Sequence, residues 1–134
     1  MQKENETFGL HYMLDGYGGP EDRLSDKNAL YSMLKNLPSQ IGMHPISKPV
    51  VVEVGPNNAK DPGGLSGFVL IAESHISFHT FPKRGFVTID VYTCREELNT
   101  QQLTDKFKEC FRLTAIDEHE LLQRGTKYPT RNQK

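Results

Sequence analysis

The stretch LSGFVLIAESHISFHTFPKRGFVTIDVYTC, residues 65–94, decides the fold of this 134-residue chain. Its last part, residues 86–93, alternates apolar with more polar side chains, which is the pattern of a strand with one buried face. Residues 68–72 are apolar throughout and predict a buried strand, and residues 75–81 are expected to be extended as well. Residues 82–85, Pro-Lys-Arg-Gly, then form the turn of a hairpin. The segment therefore predicts neighbouring antiparallel strands.

Polar side chains interrupt this segment where a buried strand would carry apolar ones. Successive side chains of an extended chain point to opposite faces, so every second residue shares a face. Two sets are defined in this way: His75, Ser77 and His79 on the first strand, and Asp90, Tyr92 and Cys94 on the second. The hairpin would bring the two sets together, so a serine, a histidine and a cysteine are predicted to converge on one site.

Outside this segment the sequence predicts two helices and three further strands. The first helix is capped by Ser25 or Asp26 and ends at Pro38, and the second is capped by Asn99 or Thr100. The strands are predicted at residues 8–14, 50–54 and 113–122, with a turn at 15–20 and a loop at 55–64. This order indicates an α+β fold, a two-layer sandwich of a mainly antiparallel sheet with helices packed on one face. Residues 1–134 are expected to form a single domain.

Composition argues against several classes of protein. The net charge is −1, so no basic footprint for nucleic acid or for an anionic membrane surface is present. No apolar run reaches the roughly 18 residues that a membrane span needs. Two cysteines, Cys94 and Cys110, are too few for a disulfide framework. The polar start of the chain does not fit a signal peptide, which predicts a cytoplasmic location, and residues 127–134 are expected to be frayed.

One ordered set of motifs makes the sequence similar to a known family. It runs Leu65-Ser66-Gly67, Glu73-Ser74-His75, His79-Thr80-Phe81-Pro82 and Asp90-Val91-Tyr92-Thr93-Cys94, with Gly9 and His11 near the start and Arg124-Gly125 near the end. The set resembles the processing and active-site signature of the prokaryotic S-adenosylmethionine decarboxylase proenzymes, which depend on a pyruvoyl group. The resemblance spans most of the chain and is densest between residues 65 and 94.

The resemblance implies that the chain cuts itself between Glu73 and Ser74. The Ser74 hydroxyl would attack the Glu73 carbonyl and convert the peptide to an ester. Elimination and loss of ammonia would then leave a covalent pyruvoyl group, derived from Ser74, as the cofactor. The products would be a β chain, residues 1–73, and an α chain, residues 74–134, held together by the shared sheet. By resemblance, two such αβ units would form a homodimer with active sites near the interface.

The resemblance also assigns catalytic roles to three other residues. His79 would act as a base near the serine α-proton during processing, for which a neutral imidazole is suited. Ser66 would be an auxiliary hydroxyl that hydrogen-bonds within the site. In turnover the substrate amine would form a Schiff base with the pyruvoyl carbonyl, and Cys94 would protonate the carbanion left after loss of carbon dioxide. A thiol suits this step because it is largely protonated at neutral pH. The product would feed polyamine, and specifically spermidine, biosynthesis.

A metal site is the alternative raised by His75, His79 and Cys94. Two histidines four residues apart on a strand lie about 13 Å apart, which is too far for both to bind one ion. No metal is therefore expected. Cys110 is interpreted as a small buried hydrophobic residue.

Two departures from the family pattern leave the substrate open. Lys83 stands where the family usually has an acidic residue, and an ammonium cannot accept hydrogen bonds from ribose hydroxyls. The loop before Ser66 also lacks the aromatic residue that can stack on adenine. S-adenosylmethionine is the favoured substrate. The alternative is a basic amino acid, ornithine or arginine, whose distal cation would pair with Asp61 or with an acidic residue of a partner chain. A non-catalytic regulatory paralogue is the third reading.

Overall fold

The computed structural model describes residues 7–128. The predictions for the polar ends of the chain concern mainly residues 1–6 and 129–134, which lie outside this range. The strands are β1 (Gly9–Tyr17), β2 (Val50–Val54), β3 (Gly64–Ile71), β4 (Ser74–Phe81), β5 (Phe86–Thr93), β6 (Ala115–Glu118) and β7 (Leu122–Arg124). The helices are α1 (Glu21–Leu24), α2 (Lys27–Gln40) and α3 (Thr100–Phe111).

The strands form one sheet in which every pairing is antiparallel. The order is β2-β3-β4-β5-β1-β6, and β7 pairs with the other end of β1 beside β6. The predicted final strand at 113–122 is thus two short strands, β6 and β7. Both pair with β1, so this first strand lies inside the sheet. The predicted α+β class is confirmed.

The core lies between one face of the sheet and the long helices. In β5 the predicted alternation is observed: Val87, Ile89 and Val91 are buried, and the residues between them are half-exposed. Helix α2 contributes Leu30 and Leu34 to this core, and α3 contributes a stripe that includes Phe107. The helices therefore cover one face, as predicted, and leave the other face, here called the outer face, open.

Three predicted boundaries were wrong. Asp26 caps α2 through its side chain, but the helix continues past Pro38 to Gln40 because proline lacks only its own N–H donor, and the Ile41 N–H still donates to the Leu37 carbonyl. Strand β1 runs to Tyr17 instead of stopping before residue 15, because β5 and β6 pair with its last residues. Strand β3 begins at Gly64, four residues earlier than predicted, which places Ser66 inside the sheet.

Two hairpins connect the central strands. Between β4 and β5, a 3₁₀ turn at Pro82–Arg84 is closed by Gly85, whose left-handed φ of +61° favours glycine. Between β3 and β4, residues Ala72 and Glu73 form a two-residue loop flanked by the pair Ile71 and Ser74. The predicted cleavage point therefore lies at the tip of a tight hairpin.

Candidate active site

Ser74 holds a strained backbone conformation. Two-residue hairpin loops normally place residues at positive φ in the loop itself, which favours Asn and Gly there. Here the loop is Ala72–Glu73, and the positive φ falls on the next residue, Ser74, at +145°. A non-glycine residue in this region carries of the order of 1–3 kcal/mol of strain. The strain lies directly after the Glu73–Ser74 peptide bond.

The carbonyl of that peptide bond is held by a backbone donor. The Cys94 N–H donates to the Glu73 carbonyl oxygen at 2.8 Å. Cys94 directly follows β5, whose last residue, Thr93, is the register partner of Ser74. A donor in this position stabilises negative charge that develops on the oxygen when a nucleophile attacks the carbonyl carbon.

The side chain of Glu73 is also fixed, by His44, a residue that none of the sequence motifs includes. Its two carboxylate oxygens accept from the His44 N–H at 3.1 Å and from His44 Nδ1 at 2.8 Å. Partial burial raises the pKa of Glu73, but the hydrogen bonds from His44 outweigh this and lower it overall. His44 is 29 residues away in a loop, so no local spacing could have revealed it.

Ser66 and His79 form a second group. They are register partners on β3 and β4, and Ser66 Oγ is hydrogen-bonded to His79 Nδ1 at 2.8 Å. Gly67 allows this stretch of strand to pack closely, because a Cβ atom there would lie 2.8 Å from the Phe78 ring. His79 is exposed on the outer face, so the pair is open to a ligand or to another chain.

The two groups do not meet within one chain. His79 follows Ser74 by five residues along the same extended strand, so their Cα atoms lie about 16 Å apart. The hairpin pairs His75 with Tyr92 and Ser77 with Asp90, so the two predicted sets lie side by side, although His79 and Cys94 are at opposite ends of them. The convergence of a serine, a histidine and a cysteine on one site stays a prediction. Cys94 lies beside Ser74 at one end of β4, and Ser66 lies beside His79 at the other.

A cluster of aromatic and charged side chains occupies the outer face near Ser74. His11 Nε2 lies 2.9 Å from Asp90 Oδ1, and the Arg124 guanidinium lies 4.7 Å from the centroid of the Tyr92 ring. The rings of His75 and Tyr92 are 5.8 Å apart. Burial, followed by the neighbouring His11 imidazole, lowers the pKa of His75, so the His75 imidazole is held neutral near pH 7.

The two candidate substrate-binding residues lie at the His79 end of the molecule. Lys83 lines a cavity of about 240 Å³ together with Glu21 and Glu53. Asp61 lines a second cavity, of about 380 Å³, where its carboxylate already accepts from the Gly63 N–H at 3.1 Å.

This second cavity has an aromatic wall that the sequence did not predict. The rings of Phe81 and Phe86 stack at 5.6 Å and both line the cavity, and Tyr17 packs against Phe86 at 5.3 Å. These residues come from three different strands. An aromatic surface therefore borders the cavity that Asp61 lines.

The structure gives no support to a metal at His75, His79 and Cys94. Within residues 7–128, the group whose ligand atoms lie close enough to hold an ion is Asp15, Asp117 and His119, all within 4.8 Å of one another. His119 Nε2 is already paired with Asp15 Oδ2 at 2.8 Å, which raises the pKa of His119. No described helix is long and apolar enough to cross a membrane.

Fold and site together define a class of protein. This is a small α+β domain in which a strained serine follows a carbonyl held by a backbone N–H, the arrangement expected of a chain that rearranges its own backbone.

Comparison with known proteins makes the class specific. Residues 10–125 match the family model described as S-adenosylmethionine decarboxylase. Among relatives, the S-adenosylmethionine decarboxylase proenzyme of Pyrococcus furiosus is 30% identical over 87% of this chain and 78% of its own. That of Picrophilus torridus is 31% identical over 90% and 86%. The crystal structure of the adenosylmethionine decarboxylase from Aquifex aeolicus superposes with a TM-score of 0.72 at 30% identity, covering 90% of this chain and 92% of that one. The chain belongs to the S-adenosylmethionine decarboxylase family.

Proposed function

We propose that this chain is a proenzyme that cleaves itself between Glu73 and Ser74 and then decarboxylates S-adenosylmethionine. One observation carries the proposal: Ser74 is strained, and the carbonyl that its hydroxyl would attack is held by the Cys94 N–H at 2.8 Å. Membership of the family and the proenzyme names of the relatives support the same reading.

Cleavage begins as an attack by Ser74 on its own preceding carbonyl. The Ser74 Oγ bonds to the Glu73 carbonyl carbon, the C–N bond breaks, and the nitrogen takes up the hydroxyl proton, which leaves an ester and a free amine. Removal of the Ser74 α-proton then expels the Glu73 carboxylate. The dehydrated residue takes up water and releases ammonia, so one water is consumed overall and the new terminus is pyruvoyl.

The fold fits this sequence of events. Strain at Ser74 is relieved when the hairpin tip opens, and the Cys94 N–H stabilises charge on the attacked oxygen. The β3–β4 register from Ser66–His79 to Ile71–Ser74 keeps the two products paired after the cut. The pyruvoyl carbonyl, once formed, supplies an electrophile for the substrate amine and a sink for the electrons of the lost carboxylate. Cys94, exposed beside Ser74, would return a proton.

We propose that the working unit is a homodimer with composite sites. The Ser66–His79 pair lies about 16 Å from Ser74 of its own chain, beyond the reach of a hydrogen bond. A two-fold axis through the outer face would place the His79 end of one chain against the Ser74 end of its partner. Large apolar side chains are exposed on this face, where a monomer would leave them in water: Val50, Val52, Val54, Phe68 and Leu70.

S-adenosylmethionine is favoured over a basic amino acid as substrate. The stacked rings of Phe81 and Phe86 offer an apolar surface suited to an adenine ring, at the same end of the molecule as His79. Asp61, the proposed partner for the distal cation of ornithine or arginine, already accepts from the Gly63 N–H. Lys83 remains the feature that favours the alternative, since it offers no acceptor to a ribose. We also propose a cytoplasmic location, where a free thiol at Cys94 stays reduced.

Mass spectrometry of the purified protein tests self-cleavage. We expect two chains, residues 1–73 and 74–134, the second with a blocked N-terminus, in place of one chain of 15.2 kDa. Ser74→Ala should remain intact. A wild-type chain that stays whole after long incubation would refute the proposal.

Release of labelled carbon dioxide tests the activity and the substrate. The processed protein is incubated in parallel with carboxyl-labelled S-adenosylmethionine, ornithine and arginine, and release is expected from the first. Cys94→Ala should still cleave, because the backbone N–H that holds the Glu73 carbonyl remains, but it should decarboxylate slowly. Cys110→Ala is the matched control and should match wild type. Release from ornithine or arginine but not from S-adenosylmethionine would mean that the substrate is the basic amino acid.

A further inference from the structure

His44, in the loop that follows α2, is hydrogen-bonded to both residues of the cleavage loop, Ala72 and Glu73. Three hydrogen bonds join them: the His44 N–H and Nδ1 donate to the two carboxylate oxygens of Glu73, at 3.1 and 2.8 Å, and the Ala72 N–H donates to the His44 carbonyl at 2.7 Å. Because a carboxylate only accepts, the Nδ1 atom that faces it carries the proton. The two residues of the hairpin loop are therefore both held by hydrogen bonds to one residue, His44.

This contact acts on the rotations that matter for cleavage. The attack closes a five-membered ring through the Ser74 side chain and the Glu73 carbonyl, so it requires a fixed orientation of that carbonyl. Cys94 fixes the carbonyl from one side, and His44 fixes the side chain of the same residue from the other. Without the second contact, Glu73 can rotate and let Ser74 relax from its φ of +145°.

The contact contributes little to the fold itself. The His44 side chain is 75% exposed, whereas that of Glu73 is 16% exposed. A side chain this exposed buries little apolar surface, so the contact of His44 with Glu73 is expected to add little to folding stability. Its effect is local, on the conformation of one residue.

We infer that His44 is a positioning residue for self-cleavage, which holds Glu73 so that its carbonyl stays in line with the Ser74 hydroxyl. The inference rests on the proposed self-processing and adds to it a residue outside the motifs of residues 65–94.

The rate of cleavage of freshly made full-length chain tests this role. Chains labelled during cell-free synthesis are chased, and the uncut fraction is followed by gel. His44→Ala is expected to slow cleavage about ten-fold, as for loss of one hydrogen bond to a charged group. His44→Asn, whose side-chain amide can donate from nearly the same position, should recover most of the rate. His119→Ala removes an equally short histidine–carboxylate pair elsewhere and should cleave like wild type.

A double-mutant cycle separates positioning from general damage. If the imidazole acts through the Glu73 carboxylate, then Glu73→Ala slows cleavage about as much as His44→Ala, and the double variant is no slower than either. Melting temperatures are measured in the uncut Ser74→Ala background and should be unchanged by His44→Ala. An equal rate for His44→Ala and His119→Ala, multiplicative slowing in the double variant, or failure of Asn to recover any rate would each overturn the inference. A wild-type chain that never cleaves would instead overturn the proposed function.

Discussion

A complementation experiment between two inactive chains tests whether the site is composite. His79 and Ser74 are five residues apart on one extended strand, which places them about 16 Å apart, whereas a proton transfer needs about 3 Å. A chain carrying His79→Ala keeps Ser74, and a chain carrying Ser74→Ala keeps His79. In a mixed dimer one of the two sites regains both residues, so the His79→Ala chain is cleaved and the Ser74→Ala chain is not.

The expected yield follows from symmetry. If the two chains are made in equal amounts and pair at random in a two-fold dimer, about half of the His79→Ala chains face a Ser74→Ala partner and are cut. The two chains are co-expressed with tags of different mass and resolved by mass spectrometry. Co-expression of His79→Ala with the Ser74→Ala, His79→Ala double variant is the control, and it should give no cut chain. Mixed dimers that form but contain no cut chain would refute the composite site, and full cleavage of His79→Ala alone would remove His79 from processing.

Three further predictions concern the described residues. Iodoacetamide at pH 8 should label exposed Cys94 well before Cys110, because burial raises the pKa of the Cys110 thiol to about 11; equal labelling would contradict this. His75 has a pKa below its usual 6.5, so its contribution to stability is lost as pH falls below that value, whereas His119, whose pKa is raised, contributes below 6.5 and loses this as pH rises. Replacing either histidine with Gln removes its titration. Between pH 5.5 and 7.5 the melting temperature should therefore rise less with pH in His75→Gln than in wild type, and rise more in His119→Gln. A change in the same direction in both variants would refute the assignment. Phe78→Ala, at a fully buried position, should cost about 3–5 kcal/mol in urea unfolding, and a loss below 1 kcal/mol would contradict its place in the core.

The sequence by itself determined that the chain forms a sheet, and that residues 65–94 carry the candidate catalytic residues. A period of two in residues 86–93 requires one buried face, because alternate side chains of a strand point in opposite directions. Pro82 and Gly85 mark a hairpin, because proline fixes φ at a value that suits a turn and glycine permits the positive φ that a turn can require. The ordered motifs around Ser66, Ser74 and His79 were sufficient to identify the family.

Only the tertiary structure decided how these residues are grouped. Sequence spacing gives the face of a strand on which a side chain lies but not which strands are neighbours, so the pairing of β1 with β5, β6 and β7 could not be read from it. The strain at Ser74 depends on the register of a two-residue loop, and the contact from His44 crosses 29 residues of chain. The separation of His79 from Ser74 is likewise a distance along a folded strand. The strain, the contact and the distance all depend on packing between residues far apart in the chain, which a local sequence pattern does not specify.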